Sequence, residues 1–211
     1  MQKALASTYF IDHDSKEIQE LVKEFRAVGM PPKEQAVKLY YKVRDEWMYN
    51  PYAISFEKEK LKASSIYHQP AGHCIDKSIL YIAGLRALGI PAKLHLAKVK
   101  NHIAVESLTE KFGTNELTPH GMVDVWLHNK WVKASPAFNK SLCIKSKVDP
   151  LDFDGEHDSL FQEFNKEQKQ FMEYTADYGA FDDVPVDFII KNMKTHYPDL
   201  IKNGQFNLKT D

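Results

Sequence analysis

Apolar residues near the N-terminus recur every three or four positions, which is the spacing of one helix face. The first such stripe consists of Ile18, Leu21, Val22 and Phe25. Asp14 as N-cap and Glu17 three positions later form a capping-box pattern, which predicts where this helix starts. The second stripe follows Pro32 and consists of Ala36, Leu39, Tyr40, Val43 and Trp47. The pattern therefore predicts two amphipathic helices in the first quarter of the chain.

The stretch "AGHCIDKSILYIAGLRALGIPAK", residues 71–93, predicts a third helix of a different kind. We expect it to run from about Cys74 to Leu88. Gly89 suits the left-handed position after a helix, and Pro91 cannot continue one. Its apolar residues cover nearly every side and are Ile75, Ile79, Leu80, Tyr81, Ile82, Leu85 and Leu88. Because a helix that is apolar all round is usually buried, we expect this one at the centre of the fold.

Alternation of apolar and polar residues follows the third helix and predicts strands. The segment "AKLHLAKVK", residues 92–100, has the period of a strand with one buried face. The segment "HGMVDVWLHNKWVKASPAF", residues 120–138, predicts a strand, a tight turn at Asn129-Lys130 and a second strand. We expect these strands to pair in an antiparallel sheet.

Apolar residues beyond Pro150 return to helical intervals. One predicted helix holds Leu160, Phe164, Phe171 and Tyr178 and ends at Gly179, and a last short helix holds Phe188, Ile189 and Met193. Helices, then a sheet, then helices predict an α+β fold. We expect residues 1–150 to form the main domain and residues 151–211 to form a helical C-terminal extension packed on it.

The composition excludes several classes of function. The 211 residues are 43% apolar and 27% charged with a net charge of −1, and no basic stripe suggests a nucleic-acid partner. No apolar run is long enough to span a bilayer, and the N-terminus does not resemble a secretory signal. Two cysteines do not make a disulfide framework. We therefore expect a reduced, cytoplasmic protein that binds neither nucleic acid nor membranes.

Cys74 stands at the predicted N-terminus of the buried helix. Unpaired N–H groups and the helix dipole favour a thiolate there, although Asp76 opposes this effect and Lys77 partly restores it. A thiolate is a nucleophile, so the position suits covalent catalysis. The alternative is that Cys74 is only a small buried apolar residue, which is common for free cysteine.

A catalytic cysteine needs a base, and His120 is the histidine best placed to be one. It opens a predicted strand directly after Pro119 and shares the face of Met122, Asp124 and Trp126. A histidine at the edge of a sheet could meet a helix N-terminus that packs on that sheet. The alternative is a solvent-facing strand residue.

Three segments together resemble the transglutaminase-like superfamily over residues 33–139. "GHCIDKSILYIAGLRALGIPAK" resembles the cysteine motif, in which Gly-x-Cys opens a helix that ends in Arg-x-x-Gly-Ile-Pro-Ala. "HGMVDVWLHNKWVKASPAF" resembles the histidine–aspartate hairpin, and "EQAVKLYYKVRDEWMYNP" resembles the helix before the cysteine. The resemblance implies a papain-like core in which a central helix packs against an antiparallel sheet.

The resemblance also implies roles for particular residues. Cys74 falls on the nucleophile and His120 on the general base. The aspartate that orients the imidazole falls on Ser135, which is a departure because serine carries no charge. Met122 also stands where many relatives carry tryptophan. The oxyanion hole would combine the N–H of Cys74 with an upstream side chain, and the candidates are Tyr67 and Gln69.

Asn139 is an alternative to Ser135 as the residue that orients the imidazole of His120. With a two-residue turn at positions 129 and 130, the residue numbers of each opposed pair add up to 259. This register places His120 opposite Asn139 and Asp124 opposite Ser135. An amide oxygen can hold a histidine tautomer, as asparagine does in papain-like proteases. Ser135 would reach the imidazole only if a bulge or strong twist broke this register.

The predicted function is thiol-dependent acyl chemistry on a peptide or protein amide. We favour hydrolysis over acyl transfer, on the resemblance alone. The alternative is a binding or scaffold module that kept the fold and lost the activity. No metal or other cofactor is expected, because the acidic stretch at residues 152–163 has His157 where a calcium loop needs glycine. His68, His73 and Cys74 lack the second ligand pair of a zinc site.

Overall fold

The computed structural model describes residues 1–26, 29–102, 109–110, 112–160, 167, 172–198, 200–202 and 205–206. The helices are α1 (Lys16–Val22), α2 (Pro32–Glu46), α3 (Ala63–Tyr67), α4 (Cys74–Ala87), α5 (Lys140–Lys145) and α6 (Val186–His196). The strands are β1 (Met48–Tyr49), β2 (Ala71–Gly72), β3 (Ala92–Asn101), β4 (Glu116–Leu127), β5 (Lys130–Ala134), β6 (Met172–Phe181), β7 (Ile201–Lys202) and β8 (Gln205–Phe206). Short 3-10 turns occupy Gln2–Leu5, Lys23–Arg26 and Lys58–Leu61.

Helix α4 lies at the centre of the fold, as its apolar pattern predicts. Every residue from Cys74 to Arg86 is buried. Helices α1, α2 and α3 pack against it, and so do strands β3 and β4. Gly89 follows the helix in the left-handed conformation, with a φ of 76°. This is the central helix on an antiparallel sheet that the α+β prediction describes.

The main sheet has the strand order β5-β4-β3-β6 and is antiparallel throughout. The prediction of a helix that ends at Gly179 is therefore wrong, because residues 172–181 form β6 and pair with β3. The aromatic spacing suggested a helix, but alternating burial along β6 is that of a strand. Tyr178 lies within β6, and Gly179 lies where its register on β3 shifts. Phe164 and Phe171 lie outside the described residues.

The last predicted helix is confirmed as α6, which buries Val186, Ile189 and Met193 and packs against β4. The part of the chain after residue 150 thus contributes three strands (β6, β7 and β8) and one helix to the described structure, so the prediction of a wholly helical extension is not met. Among the described helices, none is both long enough and apolar enough to cross a bilayer.

The start of α1 differs from the prediction by one residue. Ser15 is the N-cap, and its hydroxyl accepts a hydrogen bond from the N–H of Ile18 at 3.5 Å. The Asp14 carboxylate instead accepts a hydrogen bond from the Ser7 hydroxyl at 2.6 Å. Helix α2 begins at Pro32 as predicted, with the proline in the first turn, where its missing N–H costs nothing.

The turn of the β4–β5 hairpin lies one residue earlier than predicted. Leu127 pairs with Lys130, so the two turn residues are His128 and Asn129, with φ values of 49° and 62°. Histidine and asparagine tolerate the left-handed region better than most residues, and two-residue hairpin turns require it. The predicted register is therefore wrong. Asp124 pairs with Lys133, and the pairing of β5 ends at Ala134.

A buried lysine on α4 holds the segment between β5 and α5. Lys77 is 0% exposed, and its Nζ donates hydrogen bonds to the carbonyl oxygens of Arg44 and Ala137, both at 2.7 Å. Burial lowers the pKa of Lys77 to about 7. Because no carboxylate forms an ion pair with it among the described residues, this ammonium group is stabilised mainly by the two carbonyls.

We expect Lys77 to make the free energy of unfolding rise by about 2 kcal/mol between pH 7 and pH 9. Lysine in the unfolded chain keeps its proton in this range, whereas folded Lys77 releases it near pH 7. The unfolded state thus binds more protons, and stability increases with pH. Urea titrations at both pH values measure the rise. Lys77→Met, which has no titrating group, should remove it, and an equal rise in that variant would contradict the assignment.

Candidate active site

The first turn of α4 fixes the position of Cys74. His73 is the N-cap, and its Nδ1 accepts a hydrogen bond from the N–H of Asp76 at 3.2 Å. The Asp76 carboxylate accepts one in return from the N–H of His73 at 3.1 Å. This is a capping box with histidine in place of the usual serine or threonine. The spacing of His73 and Asp76 was the signal that could have predicted it.

Strand β4 touches the start of α4 at Gly121. The N–H of Gly121 donates a hydrogen bond to Cys74 Sγ at 3.4 Å. A Cβ at Gly121 would lie 2.9 Å from the Cα of Ile75, closer than side-chain atoms approach a backbone, so only glycine fits. His120 directly precedes Gly121 in the strand, so the two Cα atoms lie about 3.8 Å apart. The fold therefore brings the backbone of His120 close to Cys74, while the two side chains line different described cavities.

Burial keeps the Cys74 thiol neutral. The residue is 7% exposed, and burial raises the pKa of Cys74 to about 11, with Asp76 adding to the rise. The N–H groups of Gly121 and Ile75 lower this pKa but do not offset the burial. The expectation of a lowered pKa is therefore wrong for this conformation, because desolvation of the thiolate outweighs the helix N-terminus.

His120 is buried and neutral. It is 2% exposed, so the alternative of a solvent-facing histidine is wrong. Burial lowers the pKa of His120 to about 4, with a smaller contribution from His73. Neither ring nitrogen has a hydrogen-bond partner among the described residues, and Cys74 is not bonded to it. At neutral pH the imidazole therefore keeps a lone pair that can accept a proton.

Ser135 lies beside His120, although β5 has ended before it. Both residues line a cavity of about 10 Å³ together with Ala137, Phe138, Leu151, Leu160 and Met172. The backbone of Ser135 is fixed on both sides. Its N–H donates to the carbonyl of Ser159 at 2.9 Å, and its carbonyl accepts from the Tyr40 hydroxyl at 3.0 Å. The aligned position thus shares a cavity with the imidazole without a hydrogen bond to it.

Asn139 is buried but has other partners. Its Oδ1 accepts a hydrogen bond from the N–H of Tyr49 at 3.0 Å, and its Nδ2 donates to the Ser141 hydroxyl at 2.6 Å. It is not among the described residues that line the His120 cavity. Of the two candidates, Ser135 lines the described cavity of His120 and Asn139 does not.

Cys74 lines a second cavity, of about 30 Å³. The described residues around it are Tyr49, Pro51, Ile54, His73, Cys74, Ile75, Phe112, Leu117, Thr118, Pro119, Met193 and Tyr197. Tyr49 is held there because β1 pairs in parallel with β2, directly before His73. Burial raises the pKa of Tyr49 and Tyr197, and nearby Cys74 adds to both shifts. Sequence reasoning missed both tyrosines, since neither lies in a recognisable motif.

Tyr67 and Gln69 are not among the residues that line the Cys74 cavity. Tyr67 ends α3, where its carbonyl accepts a hydrogen bond from Trp47 Nε1 at 3.3 Å and its ring packs against the indole. The N–H of Gln69 donates to the carbonyl of Ile66 at 2.9 Å. Among the described residues that line the Cys74 cavity, Tyr49 is the one upstream of Cys74 that carries a hydroxyl group.

Two other sequence signals have structural roles. Cys143 is fully buried in a small apolar cluster with Val99, Val148 and Met172. In the acidic stretch, the Asp154 carboxylate accepts hydrogen bonds from the N–H groups of Glu156 and His157, both at 2.8 Å, so its oxygens are occupied by its own turn. Residues 161–163 of this stretch lie outside the described residues.

Comparisons with known proteins identify a family and one similar structure. The model of the transglutaminase-like superfamily matches residues 19–136, which is more than half of the chain. The search of curated proteins found no match to this chain. A crystal structure described as a "Putative Cysteine Protease from Cytophaga hutchinsonii" is similar, with a TM-score of 0.48 and 17% identity. The match covers 64% of this chain and 40% of that one.

Proposed function

Because the chain belongs to the transglutaminase-like superfamily, we propose that it performs thiol-dependent acyl chemistry on amide bonds. Cys74 is the nucleophile and His120 the general base in this proposal. The observation that carries it is the hydrogen bond from Gly121 N–H to Cys74 Sγ, which brings the strand of His120 against the thiol. The neutral state of His120 supports the same role, because a base must hold a free lone pair.

The proposed reaction begins with a neutral thiol and a neutral imidazole. His120 takes the thiol proton as Cys74 Sγ forms a bond to the amide carbonyl carbon, whose oxygen gains the negative charge. The N–H of Cys74 and the hydroxyl of Tyr49 are the proposed donors to that oxygen. The oxyanion then collapses, the amine leaves with the proton from His120, and a thioester to Cys74 remains.

Water is the proposed acceptor of the acyl group. The choice of water rather than an amine rests on the family resemblance alone. His120 activates the water as it activated the thiol, and the products are a carboxylate and the free enzyme. A peptide or protein amide is the proposed substrate class. Since a cavity of about 30 Å³ cannot hold an acyl chain, the side chains over Cys74 must move before the substrate binds.

Acetylation by p-nitrophenyl acetate tests the proposal directly. We expect a burst of p-nitrophenol and an acetyl adduct on Cys74, found by peptide mass mapping after an acid quench. Cys143 serves as the internal control because it is also buried and forms no disulfide. An adduct on both cysteines to the same extent, or on neither, would count against the nucleophile assignment.

The second candidate is a binding module that has lost the activity. Ser135 in the position of the family aspartate favours it, because serine supplies no charge to stabilise an imidazolium. Such a module would give no burst and no adduct while folding normally. Neither cysteine forms a disulfide, which agrees with a reducing compartment. A cytoplasmic location is therefore part of the proposal.

A further inference from the structure

The cavity beside His120 has the properties of a site for one small polar ligand. Its imidazole is 2% exposed, and both ring nitrogens lack a partner among the described residues. Leaving such groups unpaired costs free energy, so buried polar atoms nearly always find a partner. The volume of about 10 Å³ is about that of one water molecule.

Ser135 supplies the second polar group of this cavity. Its Oγ makes no hydrogen bond with the described residues, whereas its backbone is anchored to Ser159 and Tyr40. A water needs at least two polar partners to be held in a protein interior. The remaining described side chains around the cavity are apolar, so His120 and Ser135 are the side chains that can hold it.

We infer that one water molecule links Ser135 Oγ to a ring nitrogen of His120, which makes Ser135 a positioning residue for the imidazole. The ring N–H donates to the water, and the water donates to Ser135 Oγ. The other ring nitrogen is then unprotonated and free to accept the proton of Cys74. A bridge that runs in this direction favours one tautomer, as the aspartate does in the family, without adding a charge. This inference rests on the proposed function only where it concerns catalysis.

The tautomer of His120 is the first readout. Long-range 1H–15N spectra of the 15N-labelled protein distinguish the two neutral tautomers, and the His120→Gln variant identifies the His120 signals. We expect a single tautomer in the wild type and a mixture in Ser135→Ala. Ser78→Ala is the matched control, because Ser78 is equally buried and unpartnered but does not line the cavity. It should leave the His120 signals unchanged.

Catalysis is the second readout, measured with p-nitrophenyl acetate. We expect Ser135→Ala to lower the acylation rate about tenfold, as for loss of one hydrogen bond. Ser135→Thr keeps the hydroxyl and should restore most of the rate. In Ser135→Asp the carboxylate displaces the water, and we expect the pKa of His120 to rise by at least about one unit.

The two readouts separate this inference from the proposed function. An unchanged tautomer and an unchanged pKa of His120 across the Ser135 variants would overturn the bridge, whatever the activity. If the His120 signals respond as expected but the wild type never acylates, the bridge stands and the proposed enzymatic function fails. If Ser135→Thr behaves like Ser135→Ala in both readouts, the hydroxyl is not the group that acts, and the inference is wrong.

Discussion

Replacing Cys74 by alanine is expected to lower the rate of p-nitrophenyl acetate turnover by about 10⁴-fold or more, to the level of the uncatalysed reaction. Alanine removes the nucleophile, and no other thiol lies in the described part of the cavity. The fold should survive, because Cys74 makes one weak hydrogen bond through its side chain, from Gly121. Rates for wild type and variant at equal folded concentration measure the effect.

Cys143→Ala is the matched control for this variant. It also removes one buried thiol, but from the separate apolar cluster near Val148 and Met172. We expect its turnover to match that of the wild type. If both variants lose turnover equally, the loss reflects stability rather than chemistry, and Cys74 is not established as the nucleophile.

Replacing His120 by glutamine should lower the same rate by about 10² to 10⁴-fold, the usual contribution of a general base. Glutamine has a similar size and can form hydrogen bonds, but it cannot take a proton at neutral pH. In the wild type, the rate should fall as the pH drops through about 4, where His120 becomes protonated. The variant should lack this limb, so a pH–rate profile separates a lost base from a damaged fold.

The control for His120→Gln is His95→Gln. His95 is also buried in the main sheet, but its two ring nitrogens bond to Asp124 and Asp177 at 3.1 and 2.8 Å, and it lines neither described cavity. We expect it to keep the acid limb near pH 4 and a turnover close to that of the wild type. An identical loss in both histidine variants would mean that turnover does not depend on the base.

The folded chain also loses stability in acid because of His120. Its pKa is lowered in the fold to about 4 from the ordinary value of 6.5. Between these values the unfolded chain binds more protons than the folded chain, so stability falls as the pH falls. The pH–rate profiles should therefore be measured over the pH range in which the protein remains folded.

Local chemistry determined much of this protein from its sequence alone. The helix from Cys74 to Ala87 follows from a continuous apolar surface that must be buried, and Gly89 and Pro91 end it for steric reasons. The strands β3, β4 and β5 follow from alternation, because side chains of a strand point to opposite faces. These features depend on near neighbours, so the residue pattern was sufficient to predict them.

The tertiary structure decided what depends on distant residues. Residues 172–181 form a strand because they pair with the edge of β3, although the spacing of their aromatic residues also fits a helix. The thiol of Cys74 is neutral because strands and helices from across the chain bury it, which no local pattern records. Because the turn lies at His128 and Asn129, opposed residue numbers sum to 257, which would place Ala137 rather than Asn139 opposite His120. Ser135 lines the same cavity as His120 although β5 ends before it. The sequence by itself thus determined most of the elements and the candidate reactive residues, whereas packing determined β6, the partners of those residues and their protonation.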